Sequence, residues 1–178
     1  MPPYIWLKRG KMTEKDTIFS SKVKNKKAIF DLGSLYDFCY TWLMDEGYVV
    51  TENTYSEKVA GSSKELEIIW TAEQEISDYF KFIIKIRWFI VGLKDVEVER
   101  GGEKTKLNKG DLELGVKGVL VKDYEGSWDK NAFYNFLKKV YNRYIIRGRI
   151  EQYEDKLFGD CDDFLAQVKA WLQLEGKH

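Results

Sequence analysis

Apolar and charged residues alternate in the middle of the chain. From residue 80 to 90 every even position is apolar, while the odd positions include Lys85 and Arg87. Successive side chains of a strand point to opposite faces, so this period of two predicts a long β-strand with one face on a core. Ile83 and Phe89 share the charged side, and we expect a second layer of structure to cover them, because exposed neighbouring apolar side chains form a sticky patch.

Shorter alternating runs surround this strand, at 66–70, 96–98 and 112–116. Turn residues separate the runs, as Gly101-Gly102 and as Asn108-Lys109-Gly110. Both Gly and Asn accept a positive φ and are typical of hairpin turns. We therefore predict an antiparallel meander between about residue 48 and residue 123, preceded by a strand near Thr17–Val23.

A helix is predicted between that first strand and the meander, over residues 35–46. Its apolar residues recur at helical spacing, at Leu35, Phe38, Cys39 and Trp42, which predicts one buried stripe. Ser34 is the predicted N-cap, and Gly47 ends the helix.

Helical periodicity returns after residue 123, with Ser127 as the predicted N-cap. One apolar stripe consists of Phe133, Phe136, Leu137, Val140 and Tyr144. A second stretch continues it, with Ile150, Tyr153, Leu157, Phe164, Leu165, Val168, Trp171 and Leu172. One uninterrupted helix would be far longer than the domain on which it packs. We therefore favour a break near Gly159, with Asp160 or Asp162 capping the last helix.

Together these elements predict an α+β fold, in which an N-terminal helix and a long C-terminal helical region cover a curved antiparallel sheet. Residues 1–16 form an arm or an edge strand, and 17–178 form a single domain that is helical from about residue 128. The order of elements resembles helix-grip (START-like) folds, in which a long final helix closes a sheet over an apolar cavity. This resemblance implies a small apolar ligand.

Composition narrows the class of protein. The chain of 178 residues carries 29 basic and 29 acidic residues, and aromatic residues make up 15% of it. Such an aromatic content can build a core, while zero net charge argues against nucleic acid as the partner.

The longest apolar-rich region is interrupted by charges, so no transmembrane segment is predicted. The N-terminus lacks a secretory signal, so we expect a cytoplasmic protein. The prevalence of Lys and Glu among the charges is typical of thermophilic proteins.

Charge is segregated along the chain although it sums to zero. Residues 1–27 carry eight basic and two acidic side chains, whereas residues 28–80 carry two basic and eleven acidic ones. Such asymmetry can pair surfaces within one fold or join one subunit to another. The aromatic and basic side chains of the N-terminal arm are predicted to bind a partner: Tyr4, Trp6, Lys8 and Arg9. The segment pairs as a strand within the chain or with another subunit, or it docks on a protein partner, an anionic lipid surface or single-stranded nucleic acid.

Catalytic constellations are not recognisable in the sequence. The single histidine is the last residue, His178, which argues against His-based nucleophilic catalysis and His metal sites. Cys39 and Cys161 fall in predicted helices and are read as buried hydrophobic residues of a reducing compartment. We expect no cofactor.

Two groups of acidic residues have two interpretations each. Asp160, Asp162 and Asp163 are either helix-capping residues or oxygen ligands of Mg²⁺ or Ca²⁺. The strand positions Asp95, Glu97 and Glu99 lie across a predicted turn from Lys104 and Lys106. They are read as cross-strand ion pairs, with nuclease-like chemistry as the alternative.

The leading functional hypothesis is a non-enzymatic binding or assembly protein that forms a homo-oligomer or joins a larger complex. The alternatives are a START-like carrier or cyclase-like enzyme with an apolar pocket under the C-terminal helix, and a metal-dependent hydrolase that uses the acids at 154–163.

Overall fold

The computed structural model describes residues 14–100, 102–125 and 132–175. Five strands form one open antiparallel sheet in the order β1-β5-β4-β3-β2. The strands are β1 (Glu14–Phe30), β2 (Val49–Ala60), β3 (Ser63–Glu75), β4 (Phe80–Arg100) and β5 (Glu103–Lys122). The helices are α1 (Leu32–Asp45), α2 (Ala132–Val140) and α3 (Arg147–Glu175), with a π-helical turn at Tyr141–Ile145. The predicted α+β fold is confirmed.

The even-numbered side of β4 builds the core, as the alternation predicted. Phe82, Ile84, Ile86 and Trp88 are completely buried. Both long helices pack on this side, which we call the inner face of the sheet, because their apolar stripes share one cluster with these residues. The α1 stripe of Leu35, Cys39 and Leu43 is also completely buried, and Trp42 is half-buried against the core.

Helix α1 begins three residues earlier than predicted. Its N-cap is Asp31, whose side chain accepts a hydrogen bond from the backbone N–H of Ser34 at 3.2 Å. Ser34 is therefore wrong as the cap, because an acidic residue one turn earlier satisfies the same orphan donors. The predicted end is right, since Gly47 follows the C-cap with φ of 86°.

The predicted turn at Asn108-Lys109-Gly110 is also wrong. These residues lie inside β5, where Asn108 pairs with both Phe30 and Asp95. Opposite Gly110, strand β4 has a register shift between Val91 and Lys94. Gly92 lies in this shift and has φ of 69°. A β-bulge of this kind lets one strand continue where the sequence pattern alone indicates a turn.

The C-terminal region breaks elsewhere than predicted. Helix α3 runs without interruption through Gly159, and the break falls at the π-helical turn before Ile146. Apolar residues on both sides of Gly159, including Leu157 and Phe164, are completely buried. Their burial outweighs the roughly 1 kcal/mol that a glycine costs inside a helix. The predicted cap Ser127 lies outside the described residues.

Candidate functional site

The odd-numbered side of β4 belongs to the other face of the sheet, which we call the outer face. Lys85 and Arg87 are exposed there, and Ile83 and Phe89 are half-buried. Neither α1 nor α3 supplies the predicted second layer over these residues, because both helices pack on the inner face. The Arg87 guanidinium lies 5.2 Å from the centre of the Phe89 ring.

A groove with a volume of about 490 Å³ opens on the outer face around Gly115. In the sheet register, Gly115 lies between Arg87 of β4 and Lys22 of β1. Because glycine has no side chain, the groove reaches the backbone of the sheet at this point. Lys85 and Lys117 line it as well, so four cationic side chains surround one depression.

Lys85 and Lys117 face each other directly across the β4–β5 ladder. Like charges in this position destabilise a sheet. Among the described residues, no carboxylate oxygen lies within 4.0 Å of either ammonium group. The sheet therefore carries a repulsive pair that an anionic group placed in the groove would relieve.

The cations at the other end of the groove have partners within the chain. Both Nε and Nη2 of Arg87 lie 2.7 Å from Oε1 of Glu67. Lys24 and Lys22 bind Glu113 at 2.6 and 3.2 Å, and these hydrogen bonds lower the pKa of Glu113. All of these pairs are solvent-exposed, so they orient side chains more than they stabilise the fold.

Charge also changes sign across the sheet. Strand β1 carries five basic and two acidic residues at one edge. Strand β3 carries one basic and four acidic residues near the other edge. The segregation seen along the sequence thus becomes a lateral polarity, with β1, β5 and β4 forming a basic part and β3 and β2 an acidic part.

The predicted capping role of Asp160 and Asp162 is wrong, because both lie inside α3. Asp160 accepts a hydrogen bond from the Tyr48 hydroxyl at 2.7 Å and forms an ion pair with Lys156 at 3.2 Å. Burial, followed by the hydrogen bond to Asp160, raises the pKa of Tyr48. Asp162 and Asp163 are exposed. Within the described residues, no three His, Cys, Asp or Glu side chains are grouped to hold a metal ion.

The second acidic group lies where it was predicted, on a hairpin. Glu97 pairs with Lys106, and Glu99 with Lys104, across β4 and β5. Lys104 also reaches Glu97 diagonally at 3.8 Å, with both side chains exposed. This is the cross-strand arrangement that the ion-pair interpretation expected.

Aromatic side chains pack between the sheet and α3, in the layer where the START-like resemblance implies a cavity. Tyr153 of α3 contacts Phe80 and Phe82, with ring centroids 5.0 and 6.1 Å apart. Next to them, a β-carbon built on Gly118 would lie only 2.7 Å from the Cys161 sulfur. Gly118 therefore allows α3 to approach β5 closely.

The structure contains a buried ion pair that the sequence does not predict. Lys138 of α2 and Asp123, which follows β5, lie 3.2 Å apart with side chains 7% and 2% exposed. Asp123 has φ of 52° and donates its backbone N–H to the Tyr79 carbonyl. No periodic pattern reveals such a pair, because both residues are of types usually found at the surface.

The predicted partner-binding residues Tyr4, Trp6, Lys8 and Arg9 lie outside the described residues, so their role stays a prediction. No described helix is long and apolar enough to cross a membrane. Comparisons of the chain with models of known families, with curated proteins and with solved structures found no match.

Proposed function

We propose that this chain is a non-enzymatic binding protein that assembles with a second copy of itself through the outer face of the sheet. The observation that carries the proposal is the opposed pair of Lys85 and Lys117 on a face that neither α1 nor α3 covers. The contacts of Tyr153 with Phe80 and Phe82 beneath α3 support binding at a surface rather than in an interior pocket.

The lateral polarity of the sheet supports a second copy as the partner. The cations of β4 lie beside the carboxylates of β3. A two-fold axis parallel to the strands, along the boundary between β4 and β3, places β4 of one copy over β3 of the other. Basic and acidic strands then face each other twice, as an isologous interface requires.

Apolar side chains on the outer face supply contact area for such an interface. Ile69, Ile83 and Phe89 are half-buried between the charged residues. Exposed ion pairs contribute only about 0–1 kcal/mol each. The apolar residues therefore provide most of the association energy, and the charges set orientation and speed of encounter.

Size-exclusion chromatography with light scattering tests this proposal. At about 0.1 M salt, where charges still interact over roughly 10 Å, the wild-type chain should be a dimer. Reversing both cations of the opposed pair, as Lys85→Glu with Lys117→Glu, should shift it toward monomer. The matched control is Lys104→Glu with Lys106→Glu on the distal hairpin of the same two strands, which should remain dimeric.

A charge-swap experiment tests the pairing of the two copies. Glu73→Lys with Glu75→Lys should also weaken the dimer, and mixing this variant with the Lys85/Lys117 variant should restore a heterodimer. Circular dichroism checks that each variant folds. A wild-type chain that is monomeric at every concentration, or a Lys85/Lys117 variant that dimerises as well as wild type, contradicts the proposal.

A further inference from the structure

The aromatic stripe of α2 is exposed. Phe133, Phe136 and Tyr144 are 64%, 61% and 72% exposed. Helical spacing puts the three rings on the same side of the segment formed by α2 and the π-helical turn. The inner face of the sheet is already covered by α1 and α3, so the stripe does not pack there.

The opposite side of this segment is attached to the end of the sheet. Lys138 forms the buried ion pair with Asp123. Tyr141 contacts Tyr79, with ring centroids 6.2 Å apart. Because these contacts hold one side of the segment against the sheet, the phenylalanine side faces outward. Removing one partner of a buried pair leaves an uncompensated charge, so the attachment is costly to break.

The charged residues within this segment have one sign. Residues 132–150 contain five basic residues and no acidic ones. Lys139, Arg143 and Arg149 are exposed, and the Arg143 guanidinium lies 5.6 Å from the centre of the Tyr144 ring. An aromatic face bordered by cations is complementary to a surface that is apolar inside and anionic at its rim.

We propose that this segment docks flat on an anionic lipid membrane, with Phe133 and Phe136 inserted at the headgroup boundary. Aromatic side chains are favoured at that boundary, and nearby cations are attracted to anionic headgroups. A helix that is apolar on one side and basic beside it lies in the interface plane rather than spanning it. Two copies of the same segment would repel each other by their like charges, which disfavours a second copy as the occupant.

Co-sedimentation of the full chain with lipid vesicles tests the proposal. Vesicles of phosphatidylcholine with about 30% phosphatidylserine should retain the protein, and vesicles of phosphatidylcholine alone should retain far less. Phe133→Ser with Phe136→Ser should lower partitioning onto the anionic vesicles by about tenfold or more. Lys139→Gln with Arg143→Gln should lower it as well, and raised salt should mimic that variant.

The matched control is Tyr55→Ser, because Tyr55 is similarly exposed, at 57%, on β2. This variant should bind the vesicles like wild type. Absence of wild-type binding to the anionic vesicles would overturn the proposal, and so would binding that the phenylalanine variant retains in full. If the phenylalanine variant instead dissociates an oligomer while the wild type ignores vesicles, the face belongs to a protein contact and the membrane proposal fails.

Discussion

The two faces of β4 differ in burial and in charge. On the inner face, Ile84 and Ile86 are completely buried beneath the helices. On the outer face, Lys85 and Arg87 are exposed beside an open groove. Burial of apolar area provides most of the folding free energy, so the inner face stabilises the fold. The outer face can vary in charge at little cost to stability.

The largest effect that separates the two faces is expected at adjacent positions of β4. Ile86→Ala should lower the free energy of unfolding by about 2–5 kcal/mol, because it removes buried methyl groups and leaves a cavity. Arg87→Ala should cost less than ~1 kcal/mol, because it breaks only an exposed ion pair with Glu67. Urea unfolding of both variants measures the difference. Equal losses would mean that the faces are assigned wrongly.

Two glycines of β5 provide a second matched comparison. On the inner face, a β-carbon at Gly118 would lie 2.7 Å from the Cys161 sulfur and 3.3 Å from Phe19 Cβ. Gly118→Ala should therefore cost about 1–3 kcal/mol through overpacking. On the outer face, a β-carbon at Gly115 meets nothing closer than 3.9 Å.

Gly115→Ala should consequently change stability by less than ~0.5 kcal/mol, since it also reduces the freedom of the unfolded chain. Thermal or urea unfolding measures both glycine variants. A double variant that adds Cys161→Ala should recover part of the Gly118→Ala loss. If it recovers none, the contact with α3 is not the cause.

Alkaline pH should lower the free energy of unfolding through the buried thiols of α1 and α3. Burial raises the pKa of Cys161 from 9.0 to about 12, and burial also raises the pKa of Cys39. Above pH 9 the unfolded chain releases the Cys161 proton while the folded chain keeps it. The contribution of this thiol is thus complete below about pH 9 and is lost as the pH rises toward 12.

Between about pH 8 and pH 10.5, the Cys161 thiol alone should remove about 2 kcal/mol of stability. Urea unfolding at the two pH values should show a smaller decrease for Cys161→Ala than for wild type. Comparing the decreases removes the cavity cost of the substitution, which is the same at both pH values. Identical decreases would show that the thiol titrates alike in both states.

The smallest predicted contrast concerns two tyrosine–carboxylate hydrogen bonds of equal length. Tyr48 donates to Asp160 at 2.7 Å in a partly buried setting, and Tyr36 donates to Glu52 at 2.7 Å in an exposed one. Tyr48→Phe should cost about 1–2 kcal/mol because it leaves a partly buried carboxylate with one partner fewer. Tyr36→Phe should cost less than ~1 kcal/mol, since water replaces its hydroxyl. Chemical denaturation that ranks them the other way would contradict this reading of their burial.

The two helices α2 and α3 show where periodicity alone is insufficient. Both have an apolar stripe in the sequence. The α3 stripe packs on the sheet, with Phe164 and Val168 completely buried, while Phe133 and Phe136 of α2 are exposed. A period of 3.6 identifies which side of a helix is apolar, but it carries no information about the surface that this side meets.

Local signals also failed where a distant contact outweighed them. Gly159 indicated a break, yet burial of Leu157 and Phe164 on either side keeps α3 continuous. Asn108 and Gly110 indicated a turn, yet Asn108 pairs with β1 and β4 and uses its side-chain oxygen to accept from the Leu32 backbone N–H at 3.1 Å. In both places long-range packing and hydrogen bonding exceed a local preference of about 1 kcal/mol.

The candidate surfaces depended on pairing between strands. The odd positions of β4 predicted a charged side, and the sequence therefore contained Lys85 and Arg87 as surface cations. It did not place Lys117 opposite Lys85 or Gly115 between Arg87 and Lys22, because register is set by contacts between residues far apart in the chain. The groove exists only once those strands are paired.

By itself, the sequence determined the class of fold, the long strand β4 and its buried side, and the helix α1 with its end at Gly47. These features follow from periodicity and from backbone preferences, which act over a few residues. Only the tertiary structure decided the register, the groove at Gly115, the Lys138–Asp123 pair and the exposure of Phe133 and Phe136. Each of these depends on which surfaces meet, and that outcome is settled by the packing of the whole chain.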